Sequence, residues 1–280
     1  MTVKTLDDVK MRIGSGESVF EIFMIQTDAY PFFPEVEQGS KYKVDQFTLK
    51  RMFSQTSFAI NTNEMRNMSV GLLLESEGTE LRAVAVDGYR IALRKQPVDP
   101  VKQNMKMIIP ARTVNELIKI IPSEMGDLYI YDSDNQAIIE FGHCRVYTHM
   151  IAGEFFNYRR IIPMDYTTKA TVNRRELLTA VKSILNTGIK DCRLSIADSK
   201  NSLTLIAKND IATIQNKQDA TVDGQPISIS INPSYLVDAL KAINDVYICI
   251  KFNTHNKPIV IEPTNGNAYL YLIMPFYTKK

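Results

Sequence analysis

An antiparallel meander is encoded around Leu81-Arg82-Ala83-Val84-Ala85-Val86-Asp87-Gly88-Tyr89-Arg90-Ile91-Ala92-Leu93. Apolar residues alternate on both sides of Asp87-Gly88, and an Asp-Gly pair favours a tight hairpin because both residues tolerate positive φ. Upstream, Gly71-Leu72-Leu73-Leu74-Glu75 leads through a turn at Glu77-Gly78 into the same run. The stretch therefore predicts three consecutive antiparallel strands.

The plan around this meander is repeated later in the chain. Val44–Leu49 opens an amphipathic helix, and Val172–Leu177 opens a matching one. Ile109-Pro110 precedes a second helix in the first copy, as Ile231-Asn232 does in the second. Self-similarity at this spacing indicates that two domains share one architecture.

The repeat sets the expected domain boundaries in the 280 residues. We expect a central domain over residues 44–164 and a C-terminal domain over 165–280, with the join near Pro163 to Tyr166. Residues 1–43 match only the end of a third copy. Val9–Phe23 predicts a hairpin around Gly14–Gly16, and Pro31–Pro34 predicts an extended linker.

Strands in this pattern outnumber helices. Short helices are predicted in two places per domain, as at Thr113–Ile121 and Pro233–Ile243. Period-2 strands in meanders, with helices confined to such places, predict an α+β fold of antiparallel sheets with the helices gathered on one face.

Composition narrows the class of protein. The 33 basic and 31 acidic residues leave a net charge of only +2, so attraction to nucleic acid depends on how the charges are distributed. Three widely spaced cysteines favour a reducing compartment. No apolar run approaches the roughly 18 residues of a membrane span. We therefore expect a cytoplasmic protein that is neither secreted nor membrane-embedded.

Motifs of catalysis are missing from the sequence. It has no GxxxxGK[ST], HExxH, GxSxG or paired CxxC. His143 and Cys144 are adjacent, but neighbours on a strand point to opposite faces and cannot easily share an ion. His149 and His255 have no nearby Cys or His. We predict no catalytic residue, no metal site and no cofactor.

Basic residues recur on the predicted helices and their approaches: Lys50, Arg51, Arg66, Arg112, Lys119, Arg174, Arg175, Lys182 and Lys241. A helix layer that is basic on its open face can contact a phosphate backbone without reading sequence. Charged residues are also normal on solvated helix faces. Sequence alone leaves both interpretations open.

The last apolar strand has an unusual ending. Tyr269–Phe276 runs into Met274-Pro275 instead of a polar cap. Val86–Ala92 and Asn157–Pro163 likewise combine apolar, arginine and aromatic residues beside a turn. If the fold brings the three stretches together, they form a pocket.

The sequence resembles the β subunit of bacterial DNA polymerase III, the sliding clamp, at Leu81–Ala92, at Phe155–Pro163 and at the Met274-Pro275 ending, in the family's order and spacing. The resemblance runs from about Asp28 to the end and covers the family's second and third domains. It implies a DNA clamp fold of repeated β-α-β-β-β units, sheets outside and helices inside, that encircles duplex DNA independently of sequence. In DNA replication such a clamp is a processivity factor without catalytic activity of its own.

The resemblance also assigns residues by position. Those expected to face DNA are Lys50, Arg66, Asn67, Arg112, Lys119, Arg175 and Lys182. Those expected to line a groove for short partner peptides are Val86, Gly88, Tyr89, Arg90, Ile91, Phe156, Arg160, Ile161, Ile189, Asn232, Tyr235, Met274, Pro275 and Phe276. The implied partners are the polymerase III alpha subunit, the clamp loader, other DNA polymerases and repair proteins.

Departures from the family pattern keep two further hypotheses open. Val86 replaces a frequent Thr and Phe156 a frequent Pro. Of the family's first domain, only the end is matched, by residues 1–43. In the family that domain pairs with the third domain of another subunit, so we expect no closed two-subunit ring of the usual kind. One alternative is a shortened clamp that binds peptides as an adaptor without encircling DNA. A hydrolase or nucleotidyl enzyme on a related fold is a remote third reading.

Overall fold

The computed structural model describes residues 1–25, 40–61, 71–100, 104–133, 135–197, 201–210 and 212–276. The chain divides into two compact units, Met1–Glu37 and Gln38–Lys280. The predicted linker at Pro31–Pro34 lies outside the described residues.

The first unit contains a three-stranded antiparallel sheet in the order β1-β2-β3, formed by Thr2–Asp7, Lys10–Ser15 and Ser18–Phe23. The predicted hairpin corresponds to β2 and β3, which turn at Gly16 with a φ of 59°. Strand β1 was not predicted from the sequence. The segment is short and largely polar, so it carries little hydrophobic periodicity. It forms a strand by pairing with β2.

The second unit contains the repeat. The elements of its first half are β4 Ser40–Asp45, α1 Gln46–Thr56, β5 Gly71–Glu77, β6 Glu80–Val86, β7 Arg90–Pro97, β8 Lys106–Pro110, α2 Ala111–Ile120, β9 Asp127–Ser133, β10 Gln136–Phe141 and β11 Cys144–His149. Those of its second half are β12 Thr168–Asn173, α3 Arg174–Leu185, β13 Cys192–Ile196, β14 Ser202–Lys208, β15 Thr213–Gly224, β16 Ile227–Ile231, α4 Pro233–Ala242, β17 Tyr247–Phe252, β18 Ile259–Pro263 and β19 Tyr269–Ile273. Both halves follow the same order of strands and helices, and the α+β prediction is confirmed.

Pairing of β19 with β7 joins the two halves. The register runs antiparallel from Tyr269 opposite Arg94 to Ile273 opposite Arg90. The result is a twelve-stranded sheet in the order β16-β13-β14-β15-β12-β17-β18-β19-β7-β6-β5-β8, beside a four-stranded sheet β11-β10-β9-β4. All five residues of β19 are buried. The closing strand is thus an interior strand.

Helices cover one face of these sheets. Each inserts an apolar stripe, such as Leu49, Met52 and Phe53 of α1 or Leu177 and Val181 of α3, into a single large core. A smaller core lies on the opposite face of the long sheet, which we call the outer face. There Val84, Leu272 and neighbouring residues pack against Phe155 and Tyr158 of the connector, the segment 150–167 between β11 and β12. Apolar packing therefore holds the connector against the outer face.

Side-chain caps fix where the helices begin. Asp45 precedes α1, and its carboxylate accepts hydrogen bonds from Thr48 N at 2.8 Å and Gly126 N at 3.0 Å. Asn173 caps α3 by accepting from Arg175 N and Glu176 N. Burial raises the pKa of the Asp45 carboxyl, but the bonds from Thr48 and Gly126 outweigh it, so the pKa lies below its ordinary value.

We expect Asp45→Ala to lower the free energy of unfolding by about 1–2 kcal/mol at neutral pH, as loss of an N-cap does. Because the folded-state pKa lies below the ordinary value of 3.8, the contribution is present above that value and lost as pH falls through the folded-state pKa. Denaturant unfolding measured from neutral pH to about pH 2 checks this. Asn173→Ala is the matched control: its loss of a neutral cap should not depend on pH in that range. A pH-independent deficit for Asp45→Ala would contradict the assignment.

Candidate functional site

A small cavity opens on the outer face of the long sheet, where β7 and β19 meet. It encloses about 90 Å³. Its lining is formed by Val86, Gly88, Arg90, Ile91, Phe156, Ile161, Leu272 and Met274. The structure thus brings together residues from all three stretches singled out in the sequence, and the walls are mainly apolar.

The turn between β6 and β7 shapes one wall. Gly88 has a φ of 91°, a conformation that other residues adopt only with strain. Asp87 Oδ1 accepts hydrogen bonds from Tyr89 N at 3.0 Å and Arg90 N at 3.1 Å, which closes the turn. Tyr89 is left exposed at the rim.

Arg90 ties this turn to the second half of the repeat. Its Nε donates to Asp87 at 2.8 Å, its Nη1 to Asp238 of α4 at 2.6 Å, and its Nη2 to the Phe58 carbonyl at 2.8 Å. The guanidinium also lies 4.6 Å from the ring centroid of Tyr235. Ion pairs to two carboxylates and stacking on a ring hold the arginine in one orientation.

Tyr235 packs against the β6–β7 turn, and residues 274–276 run beside it. Its ring stacks on Tyr89 with centroids 6.1 Å apart. Met274 N donates to Tyr89 O at 2.8 Å, Pro275 bridges to Ile231, and Phe276 N donates to Ser230 O at 2.8 Å. Backbone bonds therefore hold residues 274–276 along the mouth of the cavity. Phe276 remains exposed.

A buried carboxylate anchors the connector that carries Phe156 and Ile161. Glu75 Oε1 accepts hydrogen bonds from Tyr158 Oη and Arg159 Nη2, both at 2.7 Å. Arg82 lies 3.8 Å from the same oxygen. Burial, together with the bond to Glu75, raises the pKa of the Tyr158 phenol, so it stays a donor at neutral pH. This network fixes the short 3₁₀ turn Tyr158–Arg160 just before Ile161.

Seven of the predicted groove residues do not line the cavity: Tyr89, Arg160, Ile189, Asn232, Tyr235, Pro275 and Phe276. Ile189 is buried in the main core, and Arg160 is exposed at the end of the 3₁₀ turn. Asn232 caps α4 by accepting from Ser234 N at 2.9 Å. Leu272, which does line it, was missed, although it lies two residues before Met274 and so shares that face of the strand. Asp238 was also missed, and only the tertiary contact with Arg90 reveals it.

The helix layer carries the residues predicted to face DNA. Arg112, Arg175 and Lys182 are exposed on α2 and α3. Lys119 pairs with Glu116 at 2.9 Å. Lys50 donates to Ile121 O at 2.7 Å and Ser123 Oγ at 2.9 Å, so part of its hydrogen-bonding capacity is already used. Arg66 and Asn67 lie outside the described residues.

Two further features are absent from the described part of the chain. It contains no group of three or more His, Cys, Asp or Glu side chains placed to hold a metal ion. Its helices are also too short or too polar to cross a membrane.

Comparison with known proteins gives the family. The model of the DNA polymerase III beta subunit central domain matches residues 43–157, and that of its C-terminal domain matches 159–277. A beta sliding clamp of Staphylococcus aureus is 29% identical over 281 residues, which cover 99% of this chain and 74% of that protein.

Solved structures agree with this result. A putative DNA polymerase III beta subunit from Eubacterium rectale superposes with a TM-score of 0.91 at 29% identity, over 99% of this chain and 76% of the other. The sliding clamp of Bacillus subtilis superposes with a TM-score of 0.93 at 25% identity, over 99% and 74%. Since the two matched domain models together cover well over half of the sequence, the chain belongs to the DNA polymerase III beta subunit family, the bacterial sliding clamps.

Proposed function

We propose that this protein encircles duplex DNA as a processivity clamp and tethers its partners through the cavity at the β7–β19 junction. The observation that carries the tethering proposal is an apolar cavity lined by half-exposed Ile161, with exposed Tyr89 and Phe276 on the segments next to its lining residues. Large apolar side chains around a concave site are typical of peptide anchoring. Arg90 acts here by holding Tyr235 and the turn in place.

The partners follow from the family and from the chemistry of the cavity. We propose that short peptides with apolar and aromatic anchors bind there, from the polymerase III alpha subunit, the clamp loader, other DNA polymerases and repair proteins. The protein acts without catalysis, as a cytoplasmic accessory subunit. In this proposal residues 44–164 and 165–280 act as the central and C-terminal clamp domains, and 1–43 as the end of a preceding one.

Contact with DNA is proposed for the helix layer. Exposed Arg112, Arg175 and Lys182 lie on helices that share one side of the sheets, opposite the tethering cavity. Separate faces for DNA and for partners allow both to be bound at once. Exposed cations give an attraction to phosphate that changes little along the duplex, as sliding requires.

Ile161→Asp is expected to weaken peptide binding at least about tenfold, because it places a charge in an apolar binding site. Fluorescence anisotropy with a labelled peptide that carries Leu and Phe anchors measures the change. Ile161 is 38% exposed, so the fold should tolerate the substitution. Ile120→Asp, at a 44% exposed position on α2, is the matched control. If Ile161→Asp binds the peptide as tightly as the wild type does, the cavity is not the peptide site.

Arg112→Ala, Arg175→Ala and Lys182→Ala are each expected to weaken duplex binding and to reduce the salt slope by about 0.9 per lost phosphate contact. The measurement is log Kobs against log salt concentration for a duplex without sequence preference. Arg145→Ala on β11, whose side chain pairs with Glu140, is the control. An unchanged slope for all three helix variants would place the DNA contact elsewhere.

Encirclement predicts that the protein stays on a nicked circular duplex and leaves once the circle is linearised. Closure around DNA requires a closed assembly, so light scattering should show a discrete oligomer of the 31.8 kDa chain. Equal retention on circular and linear DNA would contradict encirclement. A monomer that binds peptides without such retention would favour the adaptor.

A further inference from the structure

A groove on the helix side of the second unit lies between α1 and α4. Its volume is about 410 Å³, within the usual range of small-molecule sites. One wall is a single stripe of α1 with residues three and four positions apart: Phe47, Lys50, Arg51 and Ser54. Lys241 and Asn244 stand on the other wall, at and just beyond the end of α4.

The charge in this groove is uncompensated. None of its lining residues is acidic. Arg51 and Lys241 are exposed, and neither forms an ion pair with any described residue. Burial, followed by repulsion from Arg51, also lowers the pKa of nearby Arg94. An anion placed between Arg51 and Lys241 would be attracted by both side chains.

The groove also presents an aromatic ring. Phe47 lies in the first turn of α1 and is 40% exposed, although α1 buries Leu49, Met52 and Phe53 in the core. An aromatic side chain beside cations is the combination that binds single strands, because bases stack on the ring while phosphates meet the charges. In a duplex the base faces are already stacked and cannot reach Phe47.

The two walls are held in a fixed relation. Gln55 of α1 donates from Nε2 to Ala242 O of α4 at 3.0 Å and is only 5% exposed. Its Oε1 is buried without a hydrogen-bond partner among the described residues. Lys50 is bound to Ile121 O and Ser123 Oγ at the floor. The site is thus largely formed before a ligand arrives, which reduces the entropy lost on binding.

We propose that the α1–α4 groove binds an unpaired nucleotide of single-stranded DNA, with its base on Phe47 and its phosphate between Arg51 and Lys241. This goes beyond the proposed clamp function, which concerns duplex DNA and the cavity on the opposite face of the sheet. It requires neither ring closure nor peptide binding, so each idea can fail separately.

The test is binding of a labelled oligothymidylate to the full chain, followed by fluorescence anisotropy. We expect Phe47→Ala to weaken binding at least about fivefold through loss of stacking, and Phe47→Tyr to retain it. Arg51→Ala and Lys241→Ala should each weaken binding and reduce the salt slope by about 0.7. A duplex of equal length should bind with no dependence on Phe47.

Controls separate this site from general attraction to phosphate. Arg193→Ala removes an exposed arginine on β13, on the face away from the helices, and should leave affinity unchanged. Inorganic phosphate should compete only weakly, because it offers no base. Thermal unfolding of each variant confirms that the fold is intact.

Three results would overturn the proposal: no binding of the oligonucleotide, binding unaffected by Phe47→Ala, or equal sensitivity of duplex and single strand to all the variants. Normal peptide binding or duplex retention alongside any of them would leave the proposed clamp function in place.

Discussion

Antiparallel pairing of β19 with β7 is the interaction on which the rest of the second unit depends. It joins strands that are distant in sequence through backbone hydrogen bonds, from Tyr269 and Arg94 to Ile273 and Arg90. It turns two similar halves into one twelve-stranded sheet. The cavity for the proposed partner peptides lies along this seam, because Ile91 of β7 and Leu272 of β19 are cross-strand neighbours there. Without the seam, neither half has a complete site.

Polar contacts then give the apolar cavity its shape. Arg90 links the β6–β7 turn to Asp238 of α4, and Glu75 holds Tyr158 and Arg159 of the connector. Both networks lie beside the cavity and use charge-assisted hydrogen bonds, which are stronger and more directional than apolar contacts. Removing one partner from either would leave a largely buried charge without compensation, a costly change in a protein interior. The apolar walls provide affinity, and these networks provide position.

The distribution of charged residues between the helix side and the sheet side of this protein is more informative than its net charge. A net charge of +2 predicts little about nucleic acid. Several exposed cations nevertheless lie on the helix layer, whereas Glu75, Glu77 and Glu80 pair with Arg82 on the sheet side. Clustering of cations away from carboxylates lets a nearly neutral protein present a local attraction to phosphate. The α1–α4 groove is the place where two such cations, Arg51 and Lys241, line one concavity with an aromatic ring.

Local patterns in the sequence were enough to predict the repeat, the turn at Asp87-Gly88 and the helix starts after Asp45 and Asn173. They were also enough to indicate the family. These features depend on residues close together in the chain, whose φ preferences and periodicity can be read directly. Tertiary structure alone decided that β19 is an interior strand, that Ile189 belongs to the core, and that Arg90 bonds to Asp238. It also supplied β1, whose few apolar residues gave too weak a signal. Pairings between distant segments arise from the whole set of competing contacts, and no short stretch of sequence records them.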